Sequence, residues 1–474
     1  MTVRIDRFLG LDVRGGDRPL GSLAQATNVL LDSRGSLVRR PGLVRRATLP
    51  AGTAGLYVHE DTLRVAAPDG TPTDGLFPTV FVDYLPAATL GGRVQAVRLA
   101  SGRRAVWIEQ VNGSLGAIGI TTGDAATAGG QLLNPGFAPV GLLGLGGRLY
   151  SLDPETARLR WSGLDSPDDN DGLGWVTSWD PAAADVRARG GYVSLAQGSS
   201  EARALAEYRG DIAVFLRSAV LLFSVGGDGV DALQETVGGP GTRHPVTVQP
   251  VSGDLLYLDP GHRFRSLATD RASVLPAEQT LGDPVAALTR AVLPPAYTVA
   301  EPAFAIYARS LGAYIAGWRN QVLTLTVSPG HGAQGWTLWT FPDGLVFTGA
   351  EECRGTVYLR SATGLWSLEP NAPDDEVADG DHRPIRCDWM PADLVVNPTT
   401  MTAHGLSLVL SGSAQVAAVV DGRVGTQTLM TGSAPYPSRR LGCWRGKSLT
   451  MQVSVPHADP AWRCDACAVD VRSL

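Results

Sequence analysis

Lysine is nearly missing from this chain. Of 40 basic residues in 474, only Lys447 is not arginine. Its cations are therefore planar forks suited to carboxylates and protein interfaces. Charged residues make up only 18% against 44% hydrophobic, which excludes a disordered polyelectrolyte. Five cysteines are too few and too scattered for a disulfide scaffold of this length, and they fit unpaired, metal-free thiols in a reducing compartment. Apolar runs such as Ala219 to Phe223 are strand-length, so no membrane-spanning helix or membrane anchor is expected. The opening MTVRIDRFLGLDV lacks the apolar core of a signal peptide, which predicts synthesis and use without export. Nor is there a basic excess: the net charge is −6, unlike a free-standing nucleic-acid binder.

What is abundant is turn chemistry. Gly (57) and Pro (32) together form about 19% of the chain, against about 12% in average proteins. Between the turns lie short apolar segments: Gly141–Asp153, Asp211–Val225, Gly253–Pro260, Ile315–Val327, Gly355–Leu368 and Leu406–Val420. Each reads as strands joined by tight hairpins. Helical periodicity is confined to Glu201–Tyr208 and Pro284–Val292. The fold class is all-β. So many short strands would leave exposed edges in one open sheet, and a β-propeller removes them by radial repetition. Weak repetition supports this: GGRLYSLD at 146–153, GDLLYLD at 253–259 and GTVYLRSATGLWSLEP at 355–370. The expected organisation is an N-terminal strand segment (1–44) closing a propeller of six or seven divergent blades (45–384), then a C-terminal β-sandwich (385–474). The boundary falls at 369–384, where six carboxylates and three prolines suggest a solvated linker or long loop.

Chemical motifs are sparse. Gly446-Lys447-Ser448 resembles the end of a phosphate-binding loop, but the required earlier glycine is Leu441 and the following segment is strand-like. Cys464 and Cys467 have metal or redox spacing. In a regular strand, positions i and i+3 face opposite ways, which argues against a shared ligand set. Asp165 to Asp171 is acidic but lacks the calcium-loop ladder, so a hydrogen-bonded turn is expected. No nucleophile or histidine pair has catalytic spacing. The expectation is no catalytic residue, no cofactor and no metal: the chain is not an enzyme.

Two stretches carry a resemblance. The first runs Phe8-Leu-Gly-Leu-Asp12, Leu20-Gly21-Ser-Leu-Ala24, Ala26-Thr-Asn28-Val29, Leu31-Asp32-Ser-Arg-Gly35-Ser-Leu37 and Arg39-Arg40-Pro41-Gly42. The second is an ordered set: Arg158-Leu-Arg-Trp161-Ser162 with Asp165-Ser-Pro167, Leu205 to Phe215 with Val220 to Ser224, Gly335-Trp336-Thr-Leu-Trp339, Arg439 to Gly446, and Trp462 to Val471. In this order they resemble the tail nozzle proteins of short-tailed bacteriophages, a group that includes the tail accessory factors called packaged-DNA stabilisation proteins. The resemblance implies a virion protein made in the host cytoplasm. It would form a homo-oligomeric ring, expected to be a hexamer, below the portal and adaptor proteins. The ring would retain packaged double-stranded DNA, extend the ejection channel and dock tail fibres or a tail needle.

Such a channel must let DNA slide, and an acidic lumen avoids a strong arginine–phosphate grip. Asp168, Asp169 and Asp171 in one turn, and Asp374, Asp375 and Glu376 in the Glu369–Asp381 loop, are candidates to face it; the alternative is that both loops lie outside. Arg39, Arg40, Arg45 and Arg46 form the densest basic cluster, either paired to acidic neighbours or subunits, or touching DNA. A rival reading from another class is a secreted or surface propeller that binds or hydrolyses glycans.

Overall fold

The computed structural model describes residues 2–14, 18–49, 53, 55–59, 61–67, 80–84, 90–98, 104–110, 116–121, 131–133, 135–165, 176, 178–195, 201–272, 280–295, 297, 302–327, 334–392, 395–425, 427–432 and 444–473. Strand accounts for 58% and helix for 6%, so the chain is all-β.

Among the described residues, seven sheets follow one another along the chain. The first holds Leu56–His59, Thr62–Ala67 and Val80–Tyr84. The second begins at Leu90–Arg98, the third at Val140–Leu145 and the fourth at Ala202–Tyr208. The fifth begins at Gln249–Val251, the sixth at Phe304–Ala308 and the seventh at Phe347–Cys353. Sheets two, three and four are four-stranded antiparallel meanders, and the sixth is a meander of four strands, Phe304 to Thr340, that continues through Ser22–Thr27 into a larger sheet with the N- and C-terminal strands. The opening strand of each sheet packs against the opening strand of the next, and that of the seventh returns to the first. The arrangement is propeller-like. The opening strands are hydrogen-bonded on one side only, so their free edges are gathered at the centre rather than on the outer rim.

The sequence repeat marks one recurrent device. GGRLYSLD, GDLLYLD and GTVYLRS each form the first hairpin turn and second strand of a sheet. The turn residues have paired positive φ: Gly146 58° and Gly147 75°, Ser252 51° and Gly253 82°, Arg354 50° and Gly355 78°. This is the type I′ geometry that matches strand twist, and it favours glycine at the second position.

The same turn explains a correction. Glu201–Tyr208, expected as a helix, contains the strand Ala202–Tyr208, which pairs with Asp211–Leu216 across Arg209 (φ 56°) and Gly210 (φ 88°). Ala and Glu favour helix, but burial of Ala202, Ala204, Leu205 and Tyr208 between sheets overrides that preference. The second candidate does form a helix, Ala286–Val292.

The seventh sheet is completed from the other end of the chain. Gly42–Thr48 pairs antiparallel with Gly364–Glu369, joining Gly42 to Glu369. The preceding N-terminal strands join the C-terminal ones: Thr2–Ile5 pairs with Arg463–Ser473, Ser22–Thr27 with Cys387–Pro391, and Leu37–Arg39 with Arg463 and Cys464. Phe8 stands edge-on to Trp389 at 5.2 Å, both fully buried, in one apolar core shared by the two ends. Burying a side chain of that size contributes about 2–3 kcal/mol. Leu406–Val420, expected as a hairpin, lies within one long strand, Val395–Val420. Gly412 (φ 94°) bends it without reversing it, so the N-terminal part pairs with Arg463–Ser473 and the remainder with Thr428–Gly432.

Candidate functional site

The acidic segment at 369–384 is not a solvated linker. It folds as a hairpin, Asp374–Ala378 with Asp381–Pro384, against Gly42–Thr48. The reason is charge: it meets the arginine cluster. Arg40 is 1% exposed, and all five of its donors are used. Its Nε donates to Asn28 Oδ1 (3.0 Å), its Nη1 to Pro41 O (2.9 Å) and Asp375 Oδ1 (2.8 Å), and its Nη2 to Thr340 O (3.2 Å) and Asp375 Oδ2 (2.5 Å). The guanidinium also lies 4.4 Å over the Phe341 ring. Asp375, itself 2% exposed, accepts a further bond from Leu43 N–H (3.0 Å). Asn28, in the left-handed region at φ 57°, donates to Arg386 O (2.8 Å) and accepts from Thr340 N–H (2.8 Å).

The other candidates join the same seam. Arg39 donates to the carbonyls of Pro370, Ala372 and Pro373, and desolvation holds its pKa below the usual arginine value. Arg45 pairs with Asp379, and its backbone N–H donates to Glu376 Oε2 (3.0 Å). Arg46 pairs with Glu369. Asp374 Oδ1 lies 3.0 Å from His457 Nε2, which ties the hairpin to the C-terminal strands. Of the predicted candidates, Arg39, Arg40, Arg45, Arg46, Asp375 and Glu376 are thus brought together by pairing within the chain. Buried Arg39, Arg40 and Asp375 present no face to a DNA duplex, which corrects that part of the expectation. Asp168, Asp169 and Asp171 lie outside the described residues.

The cysteines hold a second correction. A bulge at Asp465 sets Cys464 opposite Leu410 and Cys467 opposite Leu408, so both thiols point into the same core. Both are free and buried, and desolvation pushes both thiols up. Cys353 and Cys387 are also free and buried; Cys443 lies outside the described residues.

A feature that sequence reasoning missed sits at the centre of the ring. A void of about 400 Å³ is lined by the opening strands of sheets one, two, three and seven, through Leu56, Tyr57, Gln95, Val97, Leu142 and Glu351. A smaller one of about 140 Å³ shares Leu56, Gln95 and Glu351 and reaches Gln249 and Thr348. Glu351 lies deep among protein atoms while keeping partial access to this space. Desolvation raises its pKa to about 8, and the charge of Glu352 adds to the shift. Glu352 itself turns away to accept from the backbone N–H groups of Arg309 (2.7 Å) and Ser310 (2.8 Å). Burial thus favours the protonated form of Glu351. Among the described residues lining either void it is the only carboxylate, so they supply no carboxylate pair for glycoside hydrolysis. Two adjacent glutamates in a strand carry no sequence signal that one borders a cleft between sheets.

No family model and no curated protein matches the chain. Among solved structures, it is similar to an exo-β-1,3-galactanase from Phanerochaete chrysosporium with galactose, at 10% identity over 80% of this chain and 95% of that one, with a TM-score of 0.23. It is also similar to PorZ, an essential bacterial surface component of the type-IX secretion system of Porphyromonas gingivalis, at 13% identity over 85% of this chain and 46% of that one, with a TM-score of 0.34. At these identities and TM-scores the likenesses carry no argument about this chain.

Proposed function

We propose that this chain is a structural subunit of a short-tailed bacteriophage tail. Its seven sheets are read as seven propeller blades, with Gly42–Thr48 as the outermost strand of the last. Copies would stand side by side in a ring, expected to be a hexamer, below the portal and adaptor. The ring would hold packaged DNA and guide its exit, and it would dock fibres or a needle. The observation that supports a scaffold role is the seam: the two ends of the chain are woven together and pinned by the fully bonded Arg40–Asp375 pair. That construction favours a rigid body that passes force to its neighbours. The co-linear nozzle-like segments supply the assignment to a phage tail. In this reading the DNA-facing surface is formed by residues other than Arg39, Arg40 and Asp375, whose charges are used internally.

The glycan reading retains one favourable observation, a single raised-pKa acid in a central void. Solution mass and electron microscopy separate the two. The nozzle reading expects rings of about six copies of the 49.8 kDa chain, or co-purification with virions. A lone particle absent from virions, with glycan turnover lost in Glu351→Gln, overturns it.

A further inference from the structure

The closing strand of the seventh sheet carries a protection of its own kind. Gly42–Thr48 is hydrogen-bonded to Gly364–Glu369 on one side, and its other side ends the sheet. An outer strand of seven residues with unpaired N–H groups is a template for a further strand. The outer strands of sheets two to five are short or broken. Gln131–Leu133 and Phe264–Ser266 have three residues, Gly191–Ser194 has four, and Gly229–Val237 is interrupted by two bulges. Gly42–Thr48 is longer than the first three and has a single bulge, at Arg46, beyond a regular stretch from Gly42 to Arg45.

The acidic hairpin covers that strand, and it does so with side chains. Leu43 and Arg45 turn their N–H groups away from the ladder, and each meets a carboxylate: Asp375 Oδ1 at 3.0 Å and Glu376 Oε2 at 3.0 Å. Among the described residues no backbone ladder joins the strand to the hairpin. The chain entering the hairpin lies so close that a Cβ on Gly42 would meet Asp374 O at 2.6 Å and Ala372 O at 2.9 Å. Three bonds from Arg39 to the carbonyls of Pro370, Ala372 and Pro373 hold that entry. Trp366 Nε1 holds the hairpin itself through Glu376 O (2.9 Å). Ionised carboxylates only accept hydrogen bonds, so these contacts satisfy the strand's donors and do not extend the ladder.

We propose that the Asp374–Pro384 hairpin is an edge guard, which keeps the seventh sheet from adding a strand of a second copy of this chain. Two identical outer strands related by a two-fold axis can supply each other's donors and acceptors, so a second copy is the partner that such an edge fits. The hairpin removes that option by taking the Leu43 and Arg45 donors first. The guard rests on the seam geometry and not on the tail assignment. It leaves copies that stand side by side to meet through their surfaces, whatever they build.

The test trims the guard and leaves the buried pair intact. Asp375 stands opposite Arg383 in the hairpin, so replacing residues 376–382 by two glycines closes it with a two-residue turn. Asp375 keeps Arg40 and Leu43, while the Arg45 N–H is uncovered. Sedimentation velocity is run at several concentrations, in enough salt to screen the freed Arg45 charge. The trimmed protein should form species larger than wild type, its average mass at least doubling over about a hundred-fold rise in concentration. Adding Arg45→Pro, which deletes the outward donor and spares the ladder, should restore the wild-type distribution. Should circular dichroism show the trimmed chain unfolded, Glu376→Ala carries the test: exchange of the Arg45 amide should quicken about ten-fold, with the same association at higher concentration. A wild-type distribution in a folded variant whose Arg45 amide is uncovered, an Arg45 amide that exchanges no faster in Glu376→Ala, or association that survives Arg45→Pro overturns the proposal. Every comparison is with the wild-type particle, so the guard and the nozzle reading fail independently.

Discussion

Replacing Asp375 by Ala should be among the most damaging single changes available in this chain. The substitution leaves the Arg40 guanidinium charged, because arginine does not deprotonate in proteins, and strands it at 1% exposure. Two of its five hydrogen bonds disappear, and Leu43 N–H also loses its acceptor. Breaking a buried pair by removing one partner costs about 3–5 kcal/mol. Arg40→Met should also be costly, since it leaves the buried Asp375 carboxylate without its partner. The double variant Arg40→Met/Asp375→Leu removes both charges, so its cost should fall short of the summed single effects by about 2–3 kcal/mol. Urea unfolding followed by tryptophan fluorescence reads all three, and hydrogen exchange over residues 28–43 reports whether the seam opens first. Because the pair is out of water, salt should change the result little. A cost below about 1 kcal/mol for Asp375→Ala, or strict additivity in the double variant, refutes the reasoning.

Burial lowers the His244 pKa to about 4, with repulsion from His262 and Arg243 adding to the shift. A folded pKa below the unfolded value of about 6.5 means that the unfolded chain binds the proton first as pH falls. Stability should therefore drain between about pH 6.5 and 4, by about 3 kcal/mol, and His244→Phe should flatten that slope in unfolding measured at several pH values. Cys353, Cys387, Cys464 and Cys467 should resist thiol reagents in the native protein and react after denaturation, as peptide mapping will show. At Gly144 a Cβ would meet Val97 Cγ1 at 2.2 Å, so Gly144→Val should force apart the second and third sheets and lower stability by about 1–3 kcal/mol in the same urea assay.

The sequence reveals what is local. Hairpins such as Gly355–Leu368 are legible because their alternation and glycine turns are complete within about a dozen residues. The repeated turn-plus-aromatic strand marks the second strand of three sheets for the same reason. Glu201–Tyr208 misleads because alanine and glutamate favour helix, and Leu205, buried on the face that also carries Arg203 and Glu207, breaks the alternation. The 369–384 hairpin misleads because carboxylates usually signal solvent, and their arginine partners lie more than 300 residues away. The cysteine pair needs a bulge at Asp465 that composition does not announce. The central void is harder still, since it is assembled from single residues on several sheets.

The pairing of Gly42 with Glu369 has a consequence for biosynthesis. Gly42–Thr48 leaves the ribosome more than three hundred codons ahead of its mate and must wait for it. Until then, its unsatisfied backbone invites the wrong neighbour, including the matching segment of another nascent chain. Sibling polypeptides held close together could exchange that clasp, so the timing of release from the translation machinery bears directly on whether each molecule shuts on itself.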